Sequence, residues 1–315
     1  VSGRGSGHVL ALDVGGTKLA AGLVDESGGV VRALRAATPA GRYVEAEDLW
    51  RALTELLDAA AGDAEVTGVG VGCGGPMIWP DGEVSPLNIP AWRRFPLRAR
   101  LAERYAGLPV RLHNDAVCVA VAEHWRGAAR GHRNVLGMVV STGVGGGLIL
   151  DDRLVNGSSG NAGHVGHVTV DPDGPPCACG GRGCLEAVAR GPALVAWAQA
   201  HGWRTGADAT GVDLAADARR GDPTALRAFH RAGTALGTAI ASVTHVCDLD
   251  VVALGGGIAE AGPPLFGPLR DALRARARMP FAARVQVGRT AFGAASGLIG
   301  AAALVLAGDR YWAEP

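Results

Sequence analysis

Two stretches of this chain follow one plan: an apolar strand, a glycine-rich turn and a second apolar strand. The first runs from Val9 to Val14, turns at Gly15-Gly16 and resumes from Leu19 to Val24. The second runs from Asn134 to Ser141, turns over Thr142 to Gly147 and resumes from Leu148 to Asp151. A turn of this kind leaves backbone N–H groups unshielded by side chains and can cradle phosphate oxygens. The same string also fits an ordinary hairpin, and for one copy alone the two readings stay open. The duplication predicts two related α/β lobes facing each other across a cleft, each lending a loop to a shared ligand. A length of 315 residues agrees with two lobes, because single cores seldom grow that large.

Between and after these copies the periodicity alternates between strand and helix. Val30 to Ala36 reads as a third strand, and Leu49, Leu53, Leu56 and Leu57 form a helical stripe. Val66 to Cys73 reads as a buried parallel strand, and Val110 to His113 as a strand leading into a helix from Ala116. Further on come a helix from Pro223 to Val246, a strand from Val251 to Leu254 closed by Gly255-Gly256-Gly257, and a helix from Pro263. A short strand from Arg284 to Val287 and a last helix from Gly293 complete the pattern. No short period points to a solenoid.

Charge excludes some functions. Thirty basic residues balance thirty acidic ones, so no overall field would hold the chain on nucleic acid or an anionic membrane. The longest apolar stretches, Val135 to Leu150 and Ala294 to Leu306, are interrupted by glycine or too short to cross a bilayer, and the run before Asp13 is too short for a signal peptide. The expected compartment is the cytoplasm, where the six cysteines would not pair as disulfides.

Chemistry gathers at a few strings. Asp13-Val14-Gly15-Gly16-Thr17-Lys18 sets a carboxylate at a strand end, a bare turn, a hydroxyl and an ammonium; Asp13 could hold the water shell of a magnesium ion. Lys18 is the only lysine beside 29 arginines, as a need for a compact ammonium would require, although one lysine must fall somewhere. Ser141-Thr142-Gly143 opens the second loop, and Gly256 and Gly257 offer a flat backbone surface for a base or ribose, with a plain helix-entry turn as the competing reading. Asn114-Asp115 follows a strand end, where a carboxylate can take a proton from an attacking hydroxyl; a helix N-cap is the competing reading. His167 with Cys177, Cys179 and Cys184 gives one imidazole and three thiolates, a closed structural zinc set, against the alternative of buried free thiols. Such a knot would hold His167 and Glu186 rigidly for a polar ligand.

Together these strings resemble the ROK family of bacterial sugar kinases, within the actin and sugar-kinase superfamily. DVGGTK (Asp13 to Lys18) is similar to its first phosphate motif, HNDA (His113 to Ala116) to its catalytic motif and STGVGGG (Ser141 to Gly147) to its second phosphate motif. Gly163 to His167 and CACGGRGCLE (Cys177 to Glu186) are similar to its sugar and zinc signature. The resemblance implies a two-lobed actin-like ATPase (ribonuclease H-like) α/β fold with an inter-lobe cleft. The lobes are expected at residues 1–115 plus 294–315 and at residues 116–293. It implies Asp115 as base toward the hydroxyl on carbon six of a hexose, with Asn88, Asn114, His164, His167 and Glu186 around the sugar. Gly15, Gly16, Thr17, Lys18, Thr142 and Gly143 would line the phosphates of Mg-ATP, and Gly256 and Gly257 the adenosine. A homodimer or homotetramer is expected on the same ground.

One departure bears on the substrate. The family's usual glucose pattern has Glu where this chain has His164, and a neutral imidazole offers one donor and one acceptor instead of two acceptors. Some N-acetylmannosamine kinases of the family carry His here, so glucose and an amino or N-acetyl sugar are both expected candidates. Repressors of the family carry a winged-helix domain ahead of the first phosphate strand, and only eight residues precede Val9. A silent sugar sensor would be expected to lack Asp13, Asp115 or a loop, and all are present.

Overall fold

The computed structural model describes residues 7–206 and 208–312. In chain order the strands and helices begin with β1 (His8–Val14), β2 (Lys18–Val24), β3 (Val30–Ala37), α1 (Ala46–Ala61), β4 (Val66–Cys73), β5 (Met77–Ile78), β6 (Glu83–Val84), β7 (Phe95–Pro96), α2 (Leu97–Arg104), β8 (Val110–Asn114) and α3 (Asp115–Trp125). They continue with β9 (Val135–Val140), β10 (Val144–Leu150), β11 (Arg153–Leu154), α4 (Leu185–Ala189), α5 (Gly191–Ala200), α6 (Gly211–Arg220) and α7 (Pro223–Cys247). Last come β12 (Val251–Gly255), α8 (Pro263–Arg276), β13 (Gln286–Arg289), α9 (Ser296–Leu306) and α10 (Gly308–Tyr311). The chain forms two compact units, residues 1–130, 147–162 and 294–315 in one and 131–146 and 163–293 in the other.

The first unit is built on a sheet of order β3-β2-β1-β4-β8. β1, β4 and β8 run parallel, and β2 and β3 continue antiparallel from β1. Strand β4 shows how the sequence sets the layers. In Thr67-Gly68-Val69-Gly70-Val71-Gly72-Cys73 glycine and apolar residues alternate, so the strand has one side-chain face and one bare face. Val69, Val71 and Cys73 join a core with Leu49, Leu53 and Leu57 of α1, all fully buried or nearly so. Each such leucine contributes about 1.5–3 kcal/mol relative to exposure. The bare face admits helix backbone: a Cβ at Gly70 would overlap the carbonyl of Ala301 in α9, and one at Gly72 would lie 3.2 Å from Cys118 Sγ in α3.

In the second unit α7 and α8 pack through the same device. A Cβ at Gly233 would fall 2.6 Å from the Leu265 carbonyl oxygen, so α8 can lie against the α7 backbone. Helix α7 starts at Asp222, whose carboxylate accepts from the N–H groups of Thr224 and Ala225, with Pro223 in its first turn. The second sheet has order β11-β10-β9-β12-β13, and β9, β12 and β13 are parallel.

Several expectations are corrected. The first unit does not stop at residue 115. Helix α3 lies against α9, where a Cβ at Gly300 would overlap the Cys118 carbonyl, and the chain leaves this unit only after Arg130. Residues 147–162 also return to it instead of belonging to residues 116–293. The second glycine turn is shorter than expected, because β10 starts at Val144. Gly146 and Gly147 are strand residues placed for close packing: a Cβ would come within 3.0 Å of the Gly137 carbonyl oxygen at the first and 2.7 Å of Val117 Cα at the second. The late strand is shifted to Gln286–Arg289, behind a 3-10 turn at Ala282–Arg284, and α9 starts at Ser296 behind another 3-10 turn.

Candidate functional site

In the first unit the carboxyl ends of β1, β4 and β8 are in register: Asp13 pairs with Gly72, Gly72 with His113, and Cys73 with Asn114. Two strand spacings put the backbones of β1 and β8 roughly 10 Å apart. The row continues through Ala20 to Arg35 on the other side. Small residues therefore flank Asp13, and its carboxylate meets the first turn of α9, where a Cβ at Gly297 would lie 2.6 Å from Oδ2. Burial first, and then the negative charge of Asp115, push the Asp13 carboxyl up to about 7; Lys18 and Arg35 oppose the rise. The positive end of the α9 dipole opposes it as well. A carboxyl raised this far is only partly ionised near neutral pH.

Asn114 and Asp115 satisfy both readings of the sequence at once. Asn114 is the N-cap of α3, its Oδ1 accepting from the Ala116 N–H at 3.0 Å, and it is buried. Asp115 is the first residue of the helix, and its Oδ1 accepts from the same N–H at 2.8 Å. The cap fixes the carboxylate at the carboxyl end of the sheet, where open α/β sheets hold ligands. In the turn after β1 the Gly15 N–H donates to the Lys18 carbonyl at 3.0 Å, and Thr17 and Lys18 are exposed. A Cβ at Gly16 would overlap the Asn88 side chain, so glycine is what brings Asn88 to the turn.

The second unit gathers the other expected residues. The Ser141 N–H donates to the Gly143 carbonyl at 2.8 Å, closing a tight turn. Glu186 Oε2 accepts from the Val144 N–H at 2.9 Å and would lie 2.9 Å from a Cβ at Gly143. Glu186 is thus tied to the backbone of the glycine turn. His164 and His167 face each other with ring centroids 6.3 Å apart, and the Gly166 between them packs against the Val144 carbonyl with no room for a side chain. Gly256, at φ +92°, passes so close to the Val140 carbonyl that only glycine fits.

A cavity of about 440 Å³ opens beside Thr142 and Gly257. Pro192, Val195 and Gln199 of α5, with Thr210 and Val212 at the start of α6, form its mostly apolar walls. The sequence reading missed these five. The only local signals were the helix starts Gly191-Pro192 and Thr210-Gly211, which many helices share.

The ligating atoms of His167, Cys177, Cys179 and Cys184 lie within 4.8 Å of one another. Cys179 Sγ is 3.7 Å from Cys184 Sγ, and Cys177 Sγ is 3.8 Å from His167 Nδ1. Tetrahedral zinc with Zn–S bonds of about 2.3 Å requires S···S edges of about 3.8 Å. The four donors therefore fit such an ion, with Nδ1 of His167 toward the thiols and Nε2 on the other side of the ring. The loop is folded by backbone bonds of its own, Cys177 N–H to Gly181 at 2.9 Å and Gly180 N–H to Cys177 at 3.0 Å. Among the described residues no helix is long and apolar enough to cross a membrane.

Comparison with known proteins agrees with this arrangement. The ROK family model matches residues 9–307. A glucokinase of Thermotoga maritima is 34% identical over 313 residues, covering 94% of this chain and 96% of its own. An N-acetylmannosamine kinase of Citrobacter koseri is 35% identical, covering 96% and 99%. The crystal structure of a ROK family glucokinase from Streptomyces griseus in complex with glucose and AMPPNP superposes with a TM-score of 0.83 at 33% identity, covering 95% of this chain and 99% of that one. With the family's motifs in place along nearly its whole length, the chain belongs to the ROK family and has the family's actin-like sugar-kinase fold.

Proposed function

We propose that this protein is an ATP-dependent hexose kinase that transfers the γ-phosphoryl group to the 6-hydroxyl of its sugar, with glucose the leading substrate. The placement of Asp115 carries the reading. Its carboxylate is anchored through Oδ1 at the first turn of α3, at the carboxyl end of β8. There it accepts the proton of the 6-hydroxyl as that oxygen bonds to the γ-phosphorus and the bond from phosphorus to the β-γ bridging oxygen breaks, leaving ADP.

Positioning and charge supply the rest of the rate. Lys18, Thr17 and the side-chain-free turn at Gly15 and Gly16, with Thr142 and Gly143, are proposed to hold the phosphates, and Asp13 to hold a magnesium ion through its water shell. That ion would neutralise charge on the β- and γ-phosphates. Gly256 and Gly257 and the cavity beside them would take the adenosine. Asn88, Asn114, His164, His167 and Glu186 would bind the sugar hydroxyls, Glu186 through Oε1 since Oε2 holds Val144. Zinc on the Cys/His set would serve structure, since four protein donors leave it no open position. Self-association as a dimer or tetramer belongs to the same reading and is checked by light scattering.

The second reading, an N-acetylmannosamine or amino-sugar kinase, is favoured by His164, which offers one donor and one acceptor where a glucose pocket uses a carboxylate. A coupled ADP-release assay with Mg-ATP against glucose, mannose, N-acetylmannosamine, N-acetylglucosamine and glucosamine separates the two. Preference for glucose supports the first reading and preference for an N-acetyl or amino sugar the second. ADP release that no sugar stimulates would overturn both.

A further inference from the structure

His113 is fully buried at the end of β8 and uses both ring nitrogens. Its Nδ1 lies 2.9 Å from the backbone nitrogen of Asn114. An amide N–H can only donate, so Nδ1 must be the bare nitrogen and the proton of a neutral ring must sit on Nε2. Nε2 lies 3.0 Å from Asn156 Oδ1, which then has to be the acceptor. One backbone contact thereby fixes the tautomer of His113 and the amide orientation of Asn156. The Nδ2 donors of Asn156 are turned away from His113, on a residue that is partly exposed while His113 is not.

The two arms reach different parts of the first unit. The Nδ1 arm holds the peptide between His113 and Asn114, the N-cap of the helix on which Asp115 is the first residue. The Nε2 arm holds the segment 156–162, which is also tied to β5: Met77 N–H donates to Asn161 Oδ1 at 3.4 Å, and Asn161 Nδ2 donates to the Met77 carbonyl at 3.0 Å. This segment leads directly into Gly163 to His167.

We propose that His113 is a two-armed positioning residue, one arm setting the Asp115 carboxylate and the other presenting the Asn156 amide as an additional hydroxyl-binding group for the sugar. The inference rests on the sugar-kinase reading. It is tested by two substitutions that each keep one arm. Asparagine places an oxygen where Nδ1 was and has no second arm, and glutamine places an N–H donor near Nε2 and has no first arm.

With the substrate that wild type turns over best, His113→Gln is expected to lower kcat by about tenfold or more with the smaller change in sugar KM, as expected for a misplaced base. His113→Asn is expected to raise sugar KM by about tenfold, the loss of one hydrogen bond, with kcat closer to wild type. Asn156→Ala, which leaves His113 in place, is expected to repeat the KM rise and serves if either histidine variant does not fold. Equal changes in both parameters in the two variants, or no change in any, would overturn the proposal. Nitrogen-15 NMR of the imidazoles of wild type, with His113 identified by its loss in a variant or by its coupling to Asn156, should show the neutral Nε2–H form. An Nδ1–H form or an imidazolium would also overturn it. Because the NMR result needs no turnover, a wild-type protein that phosphorylates no sugar would sink the kinase reading without touching the tautomer.

Discussion

Asp13 should make the ligand-free protein lose stability as pH rises, and Asp13→Asn should remove that loss. Its carboxyl is raised to about 7, first by burial and then by Asp115. An acid whose folded pKa exceeds its unfolded one contributes most below the unfolded value, and the contribution is lost as pH climbs to the folded value. Taking an unfolded value of about 3.9, the cost of ionising Asp13 grows by about 2 to 3 kcal/mol between about pH 5 and pH 8. The α9 N-terminus makes this an upper figure. Asparagine is close in shape and has no charge to bury.

The assay is urea unfolding of both proteins in magnesium-free buffer at the two pH values. Effects of the Cys/His cluster and of groups remote from Asp13 recur in both proteins and cancel in the difference, which therefore reports Asp13 together with its coupling to Asp115. Wild type should lose more stability than the variant by up to that amount, while the variant loses Mg-ATP turnover. Equal losses in both proteins, or a larger loss in the variant, would show that Asp13 is not held in the buried, proton-binding state described.

Three further outcomes are expected. Asp115→Asn should lower kcat by roughly 10²–10⁴, the span of a general base, while calorimetric sugar affinity stays within a few-fold; retained turnover would remove Asp115 from the chemistry. Elemental analysis should find about one zinc per chain, and Cys179→Ser should lose it together with thermal stability and protease resistance around residues 163–186; an unaltered, metal-free protein would contradict the structural role. His164→Glu should shift the kcat/KM ratio of glucose to N-acetylmannosamine toward glucose by about tenfold, a difference of about 1.4 kcal/mol; an unmoved ratio would place specificity elsewhere.

The parts of the fold that were legible in the sequence are those with a local cause. β4 could be read because its alternating glycines and apolar residues leave little other than a strand between two packed layers, and the Cys/His cluster because Cys177, Cys179 and Cys184 are close in sequence. Asn114 and Asp115 could be placed because a strand end and a helix start meet there. Where glycine served distant packing, the reading failed. Gly146 and Gly147 look like turn residues but are strand positions against other backbone and side chains, and Gly300 decides that α3 stays with the first unit. Contacts between segments far apart in sequence gave no signal. Glu186 on the Val144 amide, Asn156 under His113 and the α5 and α6 walls of the cavity all depend on tertiary placement.

The central claim is phosphoryl transfer to a sugar hydroxyl with Asp115 as the base. Its most direct test counts sugar 6-phosphate formed against ADP released, for wild type and Asp115→Asn, with the best sugar of the panel. The account predicts one sugar 6-phosphate per ADP in wild type and a collapse of both in the variant. ADP released without sugar phosphate, phosphate on another carbon, or a variant as active as wild type would contradict it.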